Sequence, residues 1–195
     1  QMPDKFQIVA ACSRTPEKAQ EFARLVGASN IITDHRRLLE TPEIDAVLVA
    51  LPIEQNALVV KDCLSAGKHV LCEKPLAENF SLADEMATVA DKAGLINMVN
   101  LSYRNVAEIQ EARARIASGE IGEVRHVEAS YRQSWLVGNQ WGEWRSEPKW
   151  LWRLSEKHGS NGVLCDVGIH ILDFTAFAID MMPVKLQAQL KTFHK

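Results

Sequence analysis

The sequence of 195 residues lacks both a long hydrophobic run and a cluster of charges of one sign. Its longest uninterrupted apolar stretch is residues 46–51, far shorter than the roughly 20 residues that a membrane span needs, and we expect no signal peptide at its start. Lys and Arg number 22 against 25 Asp and Glu, which gives a formal charge of -3. We therefore expect neither a membrane nor a nucleic acid as a partner, and a cytoplasmic location.

The sequence is also poor in cysteine, with four residues and no Cys-x-x-Cys pair. The four are Cys12, Cys63, Cys72 and Cys165. Three of them lie in apolar runs, which predicts reduced core thiols, with a disulfide or a metal role as the alternatives. With 47% hydrophobic and 24% charged residues, the composition is that of a globular protein and excludes a disordered, collagen-like or simple coiled-coil chain.

Short apolar strands alternate with amphipathic helices in the first half of the chain. The pattern predicts strands at 7–11, 30–33, 45–51, 68–72 and 95–100, and helices at 16–26, 54–66 and 81–93. Thr15 is the predicted N-cap of the first helix, Pro16 stands in its first turn, and a glycine follows each helix. The strand at 45–51 has almost no polar alternation, which is typical of a parallel strand covered on both faces. The sequence therefore predicts an α/β fold with a Rossmann-like parallel sheet.

This rhythm changes in the second half of the chain. A helix predicted at 105–118 leads into a partly alternating strand at 124–132, and residues 184–193 alternate cleanly between apolar and polar side chains. Two long alternating strands indicate an open, mostly antiparallel sheet with one face in water. We therefore predict two domains, residues 1–102 with the parallel sheet and residues 103–195 of α+β type, and the chain ends before the second sheet is complete.

Four short motifs follow the strands or lie in the second half. They are Cys12-Ser13-Arg14, Leu51-Pro52, Glu73-Lys74-Pro75 and the segment from Gly162 to Asp173, which reads GVLCDVGIHILD. Glu-Lys-Pro alone is a weak signal, but after a strand and followed later by D-x-G-x-H-x-x-D it is specific. In this order the motifs resemble the Gfo/Idh/MocA family of NAD(P)-dependent oxidoreductases, named for glucose-fructose oxidoreductase, inositol dehydrogenase and rhizopine catabolism. The resemblance covers nearly the whole chain.

Family members begin with a strand and a G-x-G-x-x-G turn whose glycines let the backbone approach the cofactor pyrophosphate. No such turn occurs in this sequence. Compared with the family, the chain lacks that first strand, its glycine turn, the first helix and part of the second domain's sheet, so it resembles a fragment of the enzyme. Asn56 also stands where the family often has His.

Oxidising a carbinol requires a base for the hydroxyl proton and a positive group for the developing alkoxide, and His and Lys suit these roles near neutral pH. If residues 162–174 are helical, Asp166 and His170 lie one turn apart on one face. The resemblance implies that His170 accepts the proton, that Asp166 orients His170 or the substrate, and that Lys74 meets the substrate hydroxyl. We expect these three to converge on one cleft at the carboxyl ends of the parallel strands, with a cis Lys74–Pro75 peptide aiming Lys74 into it.

Simpler interpretations of the same residues stay open. Asp166, His170 and Asp173 could form a solvated stripe on an amphipathic helix, or hold a metal ion, although no further ligand cluster supports a metal. Lys74 could be a surface lysine that follows a strand. The short polar residues of an otherwise apolar helix favour the catalytic interpretation, because a solvated face usually carries longer charged side chains. Asp173 either lies close to the substrate or has a structural role.

The end of the first predicted strand favours NADP over NAD as the cofactor. NAD-preferring folds usually place a carboxylate at the end of their second strand, where it binds the ribose hydroxyls. The corresponding strand is the first one of this chain, and Ser13 and Arg14 follow it. A hydroxyl can donate to a 2′-phosphate, and a guanidinium can pair with it. Alternatively, Ser13 and Thr15 are turn and capping residues and Arg14 is solvated. The resemblance implies the cofactor-binding residues Ser13, Arg14, Leu51, Pro52, Glu73, Lys74 and Asn100.

Five tryptophans fall within one stretch that has no periodicity. They are Trp135, Trp141, Trp144, Trp150 and Trp152. They could stack on a sugar, form an oligomer contact or fill the junction between the two domains, and Lys149 and Arg153 among them could hold a carboxylate or hydroxyls. The resemblance also implies that Tyr103 and Arg104 face the cleft. The candidate substrate-binding residues are Tyr103, Arg104, Asp173 and Trp152.

Together these features predict an NAD(P)-dependent oxidoreductase that transfers a hydride between a nicotinamide cofactor and a carbinol of a sugar, polyol or related cyclic alcohol. We expect no resident metal, and a homo-oligomer when the protein is complete. The alternative is a non-catalytic relative that binds a dinucleotide, or none, and regulates or scaffolds a partner. The retained Lys74, Asp166 and His170 argue against this alternative, whereas the missing glycine turn argues for it.

Overall fold

The computed structural model describes residues 4–138, 140 and 142–191. The strands are β1 (Ala10–Cys12), β2 (Asn30–Ile32), β3 (Ala46–Val49), β4 (His69–Glu73) and β5 (Asn97–Asn100). The helices are α1 (Pro16–Val26), α2 (His35–Leu39), α3 (Ile53–Ser65), α4 (Phe80–Ala93), α5 (Ala107–Ala117), α6 (Pro148–Leu151) and α7 (Ile169–Ile179). Short 3-10 turns lie at Ser102–Asn105, Trp152–Leu154 and Glu156–His158, and a π-helical turn at Leu164–Gly168 precedes α7.

The chain divides into two compact units. Unit 1 consists of residues 1–100 and 155–160, and unit 2 consists of residues 101–154 and 161–195. Unit 1 contains two parallel sheets, with strand orders β1–β2 and β3–β4–β5. The predicted α/β class with a Rossmann-like parallel sheet is therefore confirmed.

The local sequence explains where α1 and α4 begin and end. Pro16 lies in the first turn of α1, where its missing N–H costs no helical hydrogen bond, and Thr15 has the N-cap position without making a side-chain cap bond. Gly27 follows α1 with a φ of 76°, a left-handed value that is strained for residues with a Cβ. Asn79 precedes α4, and its side chain accepts a hydrogen bond from the Leu82 N–H at 3.0 Å. The predicted bounds of both helices hold to within one residue.

The core of unit 1 lies between the β3–β4–β5 sheet and helices α3 and α4. Its buried residues are Val49, Val59, Val60, Cys63, Leu64, Val70, Cys72, Met86 and Ala90. Burial, with smaller contributions from Asp62 and Glu73, raises the pKa of Cys63 to about 11 and that of Cys72 to about 12. All four cysteines are free thiols. Cys12 and Cys165 are only partly buried, so the prediction of core positions is confirmed for two of the four.

The segment 155–160 packs within unit 1 although it follows unit 2 in sequence. His158 Nδ1 lies 3.2 Å from Glu54 Oε1 near the start of α3. A Cβ at Gly159 would come within 2.4 Å of Glu78 Oε1 and 2.8 Å of Ile53 Cγ2, so a larger residue could not pack here without displacing its neighbours.

The described residues of unit 2 form helices and turns. α5 packs against α7, where Arg113 donates to the Phe177 carbonyl at 2.6 Å and pairs with Asp180 at 2.8 Å. The predicted helix at 105–118 corresponds to α5 preceded by a 3-10 turn. Over the ranges that the structure describes, no helix is both long and apolar enough to cross a membrane.

The two strands predicted in the second half of the chain are wrong for the residues that the structure describes. Residues 124–132 and 184–191 are not strands, and the remainder of the second prediction, residues 192–193, lies outside the described residues. An alternating pattern indicates a half-exposed segment, but a strand also needs backbone hydrogen bonds to a neighbour. Neither segment has such a ladder within the described part of the chain, so the expected antiparallel sheet does not form there.

Candidate active site

The turn after β4 carries Lys74 and is held by hydrogen bonds to its neighbours. Glu73 lies opposite Asn100 in the β4–β5 register, and its Oε1 accepts a hydrogen bond from Asn100 Nδ2 at 2.6 Å. Its Oε2 accepts from the Lys74 backbone N–H at 3.1 Å. Both oxygens of Glu73 therefore position this turn, which brings three predicted site residues together at the carboxyl edge of the sheet.

Asn56 lies beneath the same turn. Its side chain is on α3, is 1% exposed, and donates from Nδ2 to the Pro75 carbonyl at 3.0 Å. Its Oδ1 is buried and has no hydrogen-bond partner among the described residues. The Lys74–Pro75 peptide is cis, as predicted. Asn56 thus acquires a contact with the Glu-Lys-Pro motif that the sequence alone does not indicate.

The predicted cofactor residues of β1 and β3 lie at the ends of their strands. Leu51 and Pro52 connect β3 to α3, and Pro52 has the N-cap position of that helix. The Ser13 N–H donates to the Ile32 carbonyl at 3.1 Å, and its hydroxyl lies 3.4 Å from the Thr15 N–H. Arg14 is exposed. The structure therefore leaves the Arg14 side chain accessible to solvent, while the Ser13 hydroxyl has a turn contact.

An acidic residue that the sequence motifs do not single out lies near the end of β1. Asp34 caps α2, where its Oδ1 accepts from the Arg36 N–H at 3.0 Å. Burial and then the negative charge of Asp34 raise the pKa of the Cys12 thiol. Asp34 follows β2 rather than β1, so only the pairing of these parallel strands brings its charge close to the end of β1.

The polar face at the start of α7 is engaged with arginines in unit 2. Asp166 lies in the π-helical turn, and its Oδ1 accepts from Arg153 Nη1 at 3.0 Å. Asp173 accepts from Arg104 Nε at 3.0 and 3.1 Å and from Nη2 at 2.5 Å. The Asp166 and Asp173 side chains are only 13% and 12% exposed. Largely buried, paired carboxylates do not form a solvated stripe.

Two of the predicted substrate residues make ring contacts within unit 2, Tyr103 with α7 and Trp152 with Arg153. The Tyr103 ring lies edge-on to the His170 ring at 4.8 Å between centroids, and close to Phe174 at 5.8 Å. The Arg153 guanidinium lies 4.9 Å from the Trp152 ring centroid. Unit 2 therefore contains all the residues predicted to act on or bind the substrate except Lys74: Tyr103, Arg104, Trp152, Asp166, His170 and Asp173.

The other tryptophans pack mainly on one another. Trp135 is 6% exposed and lies 6.1 Å from Trp144 and 5.8 Å from Trp150, measured between ring centroids. Trp144 Nε1 donates to the Leu136 carbonyl at 3.1 Å. This packing favours a structural role within unit 2 for these three residues. Trp141 lies outside the described residues.

The predicted site residues therefore form two groups, one in each unit. Lys74 and the cofactor residues belong to unit 1, whereas Asp166 and His170 belong to unit 2. Convergence of Lys74 with His170 stays a prediction. In the part of the chain that the structure describes, no group of three or more His, Cys, Asp or Glu side chains could hold a metal ion.

Comparison with known proteins identifies both halves of the chain. Residues 1–101 match the family model described as "Oxidoreductase family, NAD-binding Rossmann fold", named GFO_IDH_MocA. Residues 109–195 match the model described as "GFO/IDH/MocA C-terminal domain".

Individual relatives agree with these matches. The chain is 31% identical to 1,5-anhydro-D-fructose reductase from Ensifer adhaerens, over 93% of this chain and 52% of the relative. An oxidoreductase domain protein from Kribbella flavida is 37% identical with a TM-score of 0.81, over 91% of this chain and 47% of that one. A levoglucosan dehydrogenase in complex with NADH and levoglucosan is 27% identical with a TM-score of 0.80, over 91% and 48%. The chain spans about half the length of the curated relatives that it matches.

Proposed function

The chain belongs to the Gfo/Idh/MocA oxidoreductase family, and from that premise we propose that the whole protein transfers a hydride between a nicotinamide cofactor and a carbinol. The proposed substrate is a sugar, a polyol or a related cyclic alcohol. The observation that carries the proposal is the environment of α7, where Asp166 and Asp173 are paired with arginines and His170 contacts Tyr103. Levoglucosan and 1,5-anhydro-D-fructose, which occur in the names of two relatives, belong to this substrate class.

The residues at the carboxyl ends of the strands fit an NAD(P) cofactor. β1 ends in Cys12 and is followed by Ser13 and the exposed Arg14, neither of which would repel a 2′-phosphate. Leu51, Pro52, Glu73 and Asn100 would support the cofactor at the ends of the neighbouring strands. We propose NADP as the preferred cofactor, with NAD as the alternative, because a guanidinium can pair with the additional phosphate.

The chemistry divides between two side chains. A bound nicotinamide would supply the hydride acceptor for the carbinol carbon, or the hydride donor for the ketone in the reverse direction. The neutral imidazole of His170 accepts the hydroxyl proton during oxidation and returns it during reduction. The ammonium of Lys74 stabilises the negative charge that develops on the substrate oxygen. Asp166, held by Arg153, orients His170 or a substrate hydroxyl.

The test is turnover of cyclic alcohols by the full-length protein, followed as NADPH or NADH absorbance. Levoglucosan, scyllo-inositol and myo-inositol are the probes, each with both cofactors. We expect His170→Asn and Lys74→Met each to lower kcat about a hundredfold or more, because each removes a group that acts in the transition state. KM for the cofactor should change much less in His170→Asn.

Two matched variants control for the loss of a lysine charge in Lys74→Met and of an imidazole ring in His170→Asn. His126→Asn changes an exposed histidine in unit 2, the unit of His170. Lys61→Met changes a lysine in unit 1, the unit of Lys74, that pairs with Glu85 on the surface of α3. Both should retain the activity of the unchanged protein. Binding of a dinucleotide without turnover of any carbinol would contradict the proposal and favour a non-catalytic relative.

A further inference from the structure

The only two tyrosines of the sequence form a pair in unit 2. The phenol oxygens of Tyr103 and Tyr131 lie 2.5 Å apart, and the two rings meet edge to face. Tyr103 also lies against His170, at 4.8 Å between ring centroids. Tyr131, which the motifs do not single out, is therefore linked to the imidazole that we propose as the proton acceptor.

The neighbours of Tyr131 determine the direction of its hydrogen bond with Gln133. Trp135 Nε1 donates to Gln133 Oε1 at 2.8 Å, and an indole N–H can only donate. The oxygen of the Gln133 amide must therefore face Trp135, which leaves its NH₂ group to donate to the Tyr131 oxygen at 3.1 Å. Trp135 is 6% exposed, so this orientation is fixed by a buried side chain.

A count of protons shows what the phenol pair, Tyr103 with Tyr131, presents to a ligand. The pair has two hydroxyl protons and uses one of them between its own oxygens. A hydrogen bond to Tyr131, with a smaller effect of burial, raises the pKa of Tyr103 to about 12. Either phenol can be the donor in this bond, and in both cases the pair keeps one O–H that can donate and one oxygen that can accept.

We propose that the phenol pair recognises two neighbouring hydroxyls of the substrate, so that the substrate is a vicinal diol or a polyol that contains one. One substrate hydroxyl accepts from the remaining phenol O–H, and the adjacent hydroxyl donates to the phenol oxygen. Oxygens on adjacent carbons lie about as far apart as two hydrogen-bonded oxygens, which matches the close spacing of the pair. The inference rests on the proposed function, because it places the diol next to the group that acts on the reacting carbinol.

A diol and a mono-alcohol of the same ring size separate this inference from a general effect on activity. The probes are trans-1,2-cyclohexanediol and cyclohexanol, and the measurement is kcat/KM in the full-length protein and in Tyr131→Phe. We expect the variant to lose about three- to tenfold more kcat/KM for the diol than for cyclohexanol, the size of one neutral hydrogen bond. Ser118→Ala, which removes a hydroxyl that donates to the Arg115 carbonyl in the same unit, should not change this ratio. An equal loss for the two alcohols would overturn the inference.

A second measurement needs no turnover. With 13C-labelled tyrosine, Tyr103 and Tyr131 each give a ring signal, and Tyr131→Phe removes one of the two. In that variant the pKa of Tyr103 should fall from about 12 towards 10, because its hydrogen bond with Tyr131 is gone. In the unchanged protein, trans-1,2-cyclohexanediol should shift both signals more than cyclohexanol at the same concentration.

The two measurements distinguish failure of this inference from failure of the proposed function. An unchanged Tyr103 pKa in Tyr131→Phe, or equal shifts with both alcohols, would overturn recognition by the phenol pair whatever the activity. Diol-specific shifts in a protein that oxidises no alcohol would support the phenol pair and contradict the proposed function.

Discussion

In unit 1 the turn after β4 is held by hydrogen bonds to its backbone, whereas in unit 2 the carboxylates of the π-helical turn and α7 are held by arginine side chains. Glu73 and Asn56 bind the Lys74 N–H and the Pro75 carbonyl, and Asn56 is almost fully buried. Asp166 and Asp173 are paired with Arg153 and Arg104, which are 35% and 46% exposed.

This difference predicts how each region responds to change. A buried amide on a carbonyl is insensitive to salt, and its loss leaves an unpaired backbone group. An ion pair between a guanidinium and a carboxylate is weakened by salt where it is exposed. Removing the guanidinium leaves the charge of the buried carboxylate less well balanced. Substitutions that remove a contact of the turn in unit 1 should therefore mainly lower the free energy of unfolding. Substitutions that remove an arginine of unit 2 should mainly lower kcat.

The largest expected effect is a loss of enzymatic activity when an arginine of unit 2 is replaced. Arg153→Met should lower kcat about thirty- to hundredfold, because Asp166 loses the guanidinium that balances its largely buried charge. This corresponds to about 2 to 3 kcal/mol after allowance for the exposure of Arg153. Arg153→Lys should restore part of the loss. Steady-state kinetics at low and high salt measure the effect.

Arg145→Met is the matched control for this prediction. Arg145 lies 4.5 Å from the Trp144 ring centroid and 3.3 Å from Glu143, so the variant removes the same charge from the same tryptophan-rich segment without touching Asp166. Equal losses in the two variants would remove the distinction between a positioning arginine and a structural one.

The next largest effect concerns the cofactor contact in unit 1. The Arg14 guanidinium is expected to pair with a phosphate there, as the arginines of unit 2 pair with carboxylates. Arg14→Ala should raise KM for NADP about ten- to hundredfold and KM for NAD much less, because only NADP carries the 2′-phosphate. Ser13→Asp should act in the same direction by repulsion. Arg24→Ala, an exposed arginine of α1, is the control. Equal effects of Arg14→Ala on both cofactors would indicate contact with the adenine only.

A smaller effect should follow from the buried amide of unit 1. Asn56→Leu should lower the free energy of unfolding by about 1 to 3 kcal/mol, because the Pro75 carbonyl loses its donor. Asn97→Leu removes an equivalent bond, from Nδ2 to the Leu95 carbonyl at 3.0 Å, but at an exposed site, and should cost much less. Denaturant unfolding measures both, and equal losses would show that burial is not what makes the Asn56 contact important.

The effect that is smallest at neutral pH is that of the buried thiols, because it develops only at alkaline pH. The folded state keeps the Cys63 and Cys72 thiols neutral to about pH 11 and 12, whereas an unfolded thiol ionises near 9. The unfolded state therefore loses protons first, and the free energy of unfolding should decline as pH rises from about 9 towards 11. Unfolding curves at several pH values test this, and Cys63→Ala should make the decline shallower. A decline of the same steepness in that variant would point to other groups.

Agreement between the predicted and observed elements is closest in unit 1. The five strands and the helices α1, α3 and α4 were predicted to within a few residues, because prolines, glycines and short apolar runs mark their ends locally. The five-residue helix α2 was not predicted. The strands at 124–132 and 184–193 were wrong over the described residues, because pairing depends on a partner that the segment itself does not specify. Cytoplasmic location and a homo-oligomeric state stay predictions.

By itself, the sequence determined the α/β class, the order of the elements in unit 1 apart from α2, and the family, because these depend on contiguous motifs and on local periodicity. Only the tertiary structure decided the partners of the site residues. Arg104 and Asp173 are 69 positions apart and Tyr103 and Tyr131 are 28 apart, yet each pair is in hydrogen-bond contact. Contacts of this kind depend on how helices and turns pack together, and no local pattern of polarity encodes that geometry.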